Sequence, residues 1–410
     1  MIYRFIPMVV LIIIGFASSA AKYTVSGYLK DAATGEDILF ATLKVKDVAG
    51  AGAVSNEYGF YSIELEEGKY TLQVNYVGYQ QKEVFIELKE NIKRNIELSS
   101  TANTINTVTV RATKADDNLT RNEGSVVKLD MKSLKEIPAF GGEPDIVKMI
   151  QMNPGVKTAG EGSGGFYVRG GGLDQNLVLL DEAPVYNPSH LLGFLSVFNG
   201  DALKDVTMYK GGMMPEYGGR TASVMDIKMK DGNKKDYSVE GGIGLIASRL
   251  TVQGPIVKDK GSFMLSGRRT YVDLFLGLSG DEALEDTKLY FYDVNLKANY
   301  TLTEKDRIFV SAYSGRDEFG FGDDFGLNWG NITGTLRWNH LFSDKLFSNT
   351  SLIYSDYDYE FGFGQDEDRI AVQSVVRDIN FKQDFSYFLN NKNKLKFGLN
   401  SIYHTIEPGN

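Results

Sequence analysis

From residue 290 onward the chain alternates between apolar and polar side chains. Tyr290, Tyr292, Val294, Leu296, Ala298, Tyr300 and Leu302 share one face of an extended strand, and Asp293, Asn295, Lys297, Asn299 and Thr301 share the other. The pattern returns where Leu336, Trp338 and Phe342 oppose Thr335, Arg337 and Asn339. It returns again where Ile379, Phe381, Phe385 and Tyr387 oppose Asn380, Lys382, Asp384 and Ser386. A period of two predicts β-strands. Strands of about ten residues, apolar on one face, polar on the other and rich in Tyr and Phe, fit a transmembrane β-barrel. A soluble sandwich also alternates, but a second face that stays polar over whole strands suits a wet lumen or a hydrophilic insert better. Short connections at 257–261, 303–306, 342–345 and 389–393 are expected to alternate with long acidic loops at 274–288, 316–328 and 354–368. The pattern predicts about nine strands in 236–410, against ~22 in the largest plugged barrels. The last residues, Glu407 to Asn410, lack the aromatic-ended strand that closes such barrels, so the sequence is expected to be the N-terminal part of a longer chain.

Upstream the texture differs. Strands are expected at 23–29, 41–45, 59–65, 70–76, 83–87 and 92–98, with turn chemistry at Thr34-Gly35-Glu36-Asp37, Asn56-Glu57-Tyr58-Gly59 and Glu67-Gly68-Lys69. Short strands at this spacing read as an antiparallel β-sandwich over 22–98. Residues 99–125 turn to Ser, Thr, Asn and Asp and read as a linker, within which Thr107, Val108, Thr109 and Val110 form a β-prone island. From 126 to 231 short strands at 166–168, 177–180, 206–209 and 223–229 alternate with glycine clusters and read as a small α+β unit. A helix is expected over 144–152, with Pro144 at its first position and Ile146, Val147 and Ile150 on one face, and a second short helix over 189–198. The fold class expected is therefore mainly β: sandwich, α+β unit, then the first strands of an antiparallel barrel.

The N-terminus adds an address. Arg4 precedes an apolar run to Phe16 and then Ala17-Ser18-Ser19-Ala20-Ala21, a secretory signal expected to span 1–21. With no Cys, disulfides and thiolate metal sites are excluded. A net charge of -9 argues against nucleic acid as partner. No catalytic constellation emerges, and neither a cofactor nor a metal is expected. Gly160, Gly162 and Gly165 match a dinucleotide fingerprint by spacing, but strand rather than helix follows them. His190, His340 and His404 are scattered and are expected to serve polar packing. Asp317, Glu318, Asp323 and Asp324, or Asp356, Asp358, Asp366 and Asp368, lack a calcium-loop register and read as solvated charge.

The order YVRGGG, NLVLLDEAPVYNPSH and YKGG-x4-YGGR over about seventy residues resembles the plug domain of TonB-dependent outer-membrane receptors. The stretch VSGYLKDAATGEDILFATLKV with NEYGFYSIELEEGKYTLQVNYVGYQ resembles the carboxypeptidase-regulatory-like domain that precedes the plug in one branch of them. The resemblance implies a Gram-negative outer-membrane location with the N-terminal domain periplasmic. It implies a receptor that imports a scarce solute (iron chelate, cobalamin or glycan) by energy-coupled remodelling of the plug. The alternative is a surface binding or adhesion protein without transport. Implied partners are the periplasmic C-terminal domain of TonB, an extracellular small solute or oligosaccharide, outer-membrane lipid and a surface lipoprotein. Thr107, Val108, Thr109 and Val110 would be the energy-coupling box. Arg169 and Arg220 would lock the plug to glutamates of the barrel wall, or else form local salt bridges. Loop aromatics Phe319, Phe321, Phe325 and Trp329 would face the substrate.

Overall fold

The computed structural model describes residues 21–46, 48, 50–101, 126–129, 131, 134, 143–160, 165–277, 287–322, 325–364 and 370–409. The signal segment up to residue 20 and the island at residues 107–110 lie outside them. No helix among the described residues is long and apolar enough to cross a membrane.

The first unit is a β-sandwich. One sheet has the order β4 (Phe60–Glu66), β1 (Lys22–Asp31), β7 (Ile92–Lys93), with β8 (Ile96–Leu98) also paired to β1. The other runs β3 (Gly52–Val54), β2 (Thr42–Val45), β5 (Gly68–Asn75), β6 (Lys82–Leu88). Val25, Leu29, Leu43, Leu72, Val74 and Ile86 fill the space between the sheets. In β6 the alternation places Val84 and Ile86 inside and leaves Phe85 out in solvent. The turn at Gly59 is organised by Asn56, whose Oδ1 accepts from the backbone N–H groups of Tyr58 and Phe60, both at 2.9 Å. Gly59 has a φ of +79°, and a Cβ there would sit 2.8 Å from the Cβ of Asp37, so both conformation and space call for glycine.

The central unit is built on a mixed sheet ordered β13 (Ala183–Pro184), β12 (Asn176–Leu180), β17 (Ser223–Met229), β16 (Leu203–Tyr209), β9 (Val126–Leu129). A hairpin of β10 (Val156–Thr158) and β11 (Phe166–Val168) and the helix α1 (Ile146–Gln151) pack on it. Ile146, Val147 and Ile150 are buried, as their spacing requires. The helix begins later than the sequence suggested: Asp145 caps it, accepting from Val147 N–H at 2.7 Å and Lys148 N–H at 3.1 Å, and Pro144 lies before the cap. The expected helix over 189–198 is absent. Its place is taken by a hairpin of β14 (Ser189–His190) and β15 (Leu195–Ser196) closed by a single 3₁₀ turn, with φ of +49° at Leu191 and +55° at Leu192. The N–H of Leu191 is donated to the distant Asp317 carboxylate at 2.8 Å.

The last unit is a nine-stranded antiparallel meander in which each strand pairs with the next. Its strands are β18 (Ser238–Ile243), β19 (Ala247–Val257), β20 (Gly261–Thr270), β21 (Thr287–Thr301), β22 (Asp306–Phe321), β23 (Phe325–Leu341), β24 (Leu346–Phe363), β25 (Ile370–Asn390) and β26 (Asn393–Glu407), and a short helix α2 (Val272–Gly277) follows β20. Two expected loops are largely strand. The ladder of β22 with β23 continues to Phe321 opposite Phe325, and that of β24 with β25 begins at Phe363 opposite Ile370. Phe319, Phe321, Phe325 and Trp329 are therefore strand residues, not loop residues. Cross-strand ring contacts of Phe325 with Phe319, Phe321 and Phe361, at centroid distances of 5.6 to 6.2 Å, hold that pairing through a stretch whose acidic letters read as loop.

The burial pattern of this sheet is inverted. In β21, Asp293, Asn295, Lys297 and Asn299 are at most 4% exposed, while Tyr292, Val294 and Leu296 are exposed by 38–42%. In β23, Thr335, Arg337 and Asn339 are buried and Leu336 and Trp338 face out. The polar face closes over the central unit. The apolar face is matched to hydrocarbon rather than to water. A charge on the outward face should then impair assembly by about 2–4 kcal/mol near the bilayer midplane. Leu296→Arg is expected to reduce the folded fraction in outer membranes, read as gel mobility of unboiled samples, while Lys260→Arg in a short turn is expected to leave it unchanged. Equal assembly of the Leu296 variant and wild type would mean that this face does not meet lipid.

Candidate functional site

The polar face of the sheet presents charged side chains at regular strand positions, and the central unit, the sandwich and the sheet itself supply their partners. At the end bearing the long connections, the hairpin of β14 and β15 is gripped by the sheet. His190 Nδ1 lies 2.6 Å from Asp317 Oδ2, and His190 Nε2 lies 3.4 Å from Asp293 Oδ2. Arg268 Nε donates to the same Asp293 oxygen at 2.8 Å, and its Nη2 donates to the carbonyl of Ser196 at 2.7 Å. The imidazole stacks on Phe291 with ring centroids 4.0 Å apart. Trp329 Nε1 donates to the carbonyl of Ser189 at 3.1 Å. Close by, Arg249 spans Asp201 at 2.7 Å and Glu143 at 2.8 Å.

At the other end the two-residue turn between β12 and β13 carries Asp181 and Glu182, with φ of +45° and +77°. Positive φ at both positions is what a tight two-residue hairpin demands. Asp tolerates it; Glu is a poor choice for the backbone and is held there by its carboxylate contacts. Glu182 Oε1 accepts from Tyr58 Oη of the sandwich at 3.2 Å and lies 3.5 Å from Arg337 Nη1 of β23. Asp181 lies 2.9 Å from Lys297 Nζ, which also reaches Asp231 at 3.0 Å. Three units thus meet at one acidic turn.

The sandwich completes this end. Tyr58 and Phe60 stack on Phe347 with centroids 5.1 and 5.8 Å apart, and Tyr28, Leu341 and Phe388 close the same cluster. Asp37 pairs with Arg307, and Glu64 with Lys345. Three short turns of the sheet contact the sandwich, through Lys93 with Glu304 at 3.2 Å, Ser26 with Asp344 at 3.3 Å, and Glu64 N–H to Asn391 at 2.9 Å.

The electrostatics follow from this packing. Burial alone would raise the Glu182 carboxyl, but Lys382, Lys228 and Arg337 outweigh it and hold the pKa at about 2. Glu57 is likewise held at about 2 against its burial, by Lys396 and Lys382. Burial lowers the Lys234 ammonium to about 8, against the opposing pull of Asp37. For His190 burial opposes the charge, yet Asp317 and Asp293 outweigh it and raise the pKa above the ordinary 6.5.

The residues singled out from the sequence fall differently. Arg169 and Arg220 sit in turns of the central unit: Arg169, at a φ of +49°, donates its N–H to Gly155 at 3.0 Å, and Arg220 Nη1 donates to Gly219 at 2.9 Å. Trp329 is buried against the central hairpin, whereas Phe319, Phe321 and Phe325 cluster above it on the same face. No cluster able to hold a metal ion occurs among the described residues. Sequence reasoning missed Arg268, Asp293, Lys297, Asp317, Arg337 and Glu182, and it took His190 for ordinary packing. Several of these charges occupy the polar phase of alternating strands, which was the one signal that could have found them.

The CarboxypepD_reg-like domain family matches residues 25–110, and the TonB-dependent receptor plug domain family matches residues 123–224. The fold is similar to that of the ferric enterobactin receptor PfeA of Pseudomonas aeruginosa, with 15% identity and a TM-score of 0.52 over 73% of this chain and 51% of that one. It is similar to the FrpB iron transporter of Neisseria meningitidis, with 14% identity and a TM-score of 0.53 over 70% of this chain and 50% of that one. It also resembles the copper transporter OprC, with 13% identity and a TM-score of 0.51 over 68% of this chain and 46% of that one. The chain spans about half the length of these structures. No curated protein matches its sequence.

Two pH dependences follow. The pKa of His190 is raised in the folded protein, so its stabilisation of the hairpin is complete below about pH 6.5 and is lost as pH rises through the folded value. Hydrogen-exchange protection of residues 189–196, corrected for intrinsic rates, should decline on alkalinisation, and His190→Gln should flatten that profile. A wild-type profile as flat as the variant's would remove His190 from the joint. Glu182, lowered to about 2, contributes above its ordinary 4.5 and loses that contribution as pH falls toward 2.

Proposed function

We propose, on the premise that this chain is a TonB-dependent outer-membrane receptor, that it works as an energy-coupled importer with its N-terminal sandwich in the periplasm. The observation that carries this reading is the joint between plug and wall. Hydrogen bonds and ion pairs dominate it, and among the described residues only Met264 and Tyr313 of the sheet enter the plug's own apolar core. Breaking a buried pair by removing one partner costs about 3–5 kcal/mol, yet an intact pair adds little net stability because both charges gave up water. Such a joint fixes position and can rehydrate when pulled apart. A hydrophobic core of the same area could not.

In this reading Thr107, Val108, Thr109 and Val110 add as a strand to the sheet edge of the periplasmic C-terminal domain of TonB, and tension there draws on the plug. The sandwich, seated on the short turns, anchors the chain just before that segment. In this reading Arg169 and Arg220, at plug turns, fork their guanidinium groups onto glutamates of the barrel wall. Ferric enterobactin, iron and copper are the cargoes named for the similar structures. At 15% identity or less those likenesses concern the fold, not the cargo.

Val108→Pro removes a donor from the coupling strand and fixes its φ. In the full-length receptor it should leave expression and surface binding of ligand at wild-type level and abolish accumulation, with Val108→Ala intermediate or normal. Normal accumulation by Val108→Pro would instead support a surface binding protein without coupling through this segment.

A further inference from the structure

A cavity of about 240 Å³ opens between the plug hairpin and the wall at the long-connection end. Leu191, Leu192 and Phe194 of the plug form one side of it, and Leu289, Phe319 and Trp329 of the wall form the other. Its lining is almost wholly carbon. The Trp329 indole N–H is turned away to the Ser189 carbonyl, leaving the ring face to the cavity. The charged residues among those lining it are Asp317 and Glu318, both acidic. Asp317 is already engaged by His190 and by the N–H of Leu191, and Glu318 Oε1 lies 3.7 Å from Arg316.

Size, chemistry and charge each narrow the occupant. Apolar cavities of about 150 Å³ hold benzene, so this one accommodates a substituted ring. Glycan hydroxyls would find few partners on carbon walls and would lose hydration without compensation. An anionic group would meet two carboxylates and no cation among the described lining residues, since His190 and Arg316, which pair with those carboxylates, are not part of the lining. A further observation points the same way. Leu191 and Leu192 both hold positive φ, which is costly for branched side chains and clusters at ligand clamps. Asp317 keeps them there and presents Leu192, half exposed, to the cavity.

We infer that the cavity receives an aromatic group of an imported solute, at an end of that solute which is neutral or cationic rather than anionic. The inference rests on the importer reading and gives it a substrate class. Occupancy would press on the strained Leu191–Leu192 turn, which is tied through Leu191 N–H and His190 to the Asp317 carboxylate.

The test uses crystals of the full-length receptor soaked separately with 4-bromobenzylamine, 4-bromobenzyl alcohol and 4-bromobenzenesulfonate, with bromine located by anomalous scattering. The amine and the alcohol should each give a peak between Leu192 and Phe319, and the sulfonate should give none. In solution titrations by saturation-transfer NMR, Phe319→Ala and Leu192→Lys should weaken the amine about tenfold. Leu192 is half exposed, so its replacement leaves the fold intact. Equal or higher sulfonate occupancy, or no bromine peak from any of the three, would overturn the inference. An empty cavity with uptake that still depends on Val108 refutes this inference alone. A filled cavity with uptake indifferent to Val108→Pro refutes the importer reading alone.

Discussion

The sheet from β18 to β26 has its polarity inside out, and the rest of the molecule answers to that. In water an outward face of Val294, Leu296, Leu336, Trp338 and Ile379 would be an uncovered apolar surface. In hydrocarbon it is satisfied, and the cost moves to the inner face. There Arg268, Asp293, Lys297, Arg307 and Arg337 are almost fully buried and each needs a partner. Part of that demand is met within the wall, as Arg268 pairs with Asp293. The remainder is met by the plug through His190, Asp181, Glu182 and Asp231, and by the sandwich through Asp37.

The two ends of the joint differ in kind. Near the sandwich, stacked rings of Tyr58, Phe60 and Phe347 add an apolar cluster to the ion pairs. Water compensates separated charges but not separated apolar rings, so that contact is the firmer one. Near the long connections the hairpin of β14 and β15 is held by one histidine, one arginine and two aspartates, and an apolar cavity lies beside it. A graded joint of this sort places its weakest contact next to the space open to a ligand.

Much of this was legible in the sequence, and the limits have physical reasons. The alternation in β21, β23 and β25 placed every named side chain on its observed face, because strand periodicity is local. The plug strands were readable between glycine turns for the same reason. The hairpin at 189–196 was not. SHLLGFLSVF has the letters of a short helix, but its geometry is imposed by Asp317, whose carboxylate takes the Leu191 N–H across 126 positions. The acidic run after Arg316 read as loop because aspartates are rare in strands of water-soluble sheets, whereas here Asp317 points inward at His190. Pairing partners across units, such as Tyr58 with Glu182 or Lys297 with Asp181, are tertiary facts with no local signature. The roles given to Arg169 and Arg220 rest on resemblance alone.

The central claim is that the plug must part from the wall for solute to pass. The chain has no cysteine of its own, which makes a reversible tether clean to install. Asn199 Nδ2 of the plug donates to Ser266 Oγ of β20 at 2.8 Å, so the two side chains already touch. In the full-length receptor carrying Asn199→Cys and Ser266→Cys, energised accumulation of ligand should be measured oxidised and then after reduction, alongside surface binding. The account predicts unchanged binding in both states, with accumulation lost when the disulfide is closed and restored when it is reduced. Full accumulation with the disulfide verified as closed would contradict it.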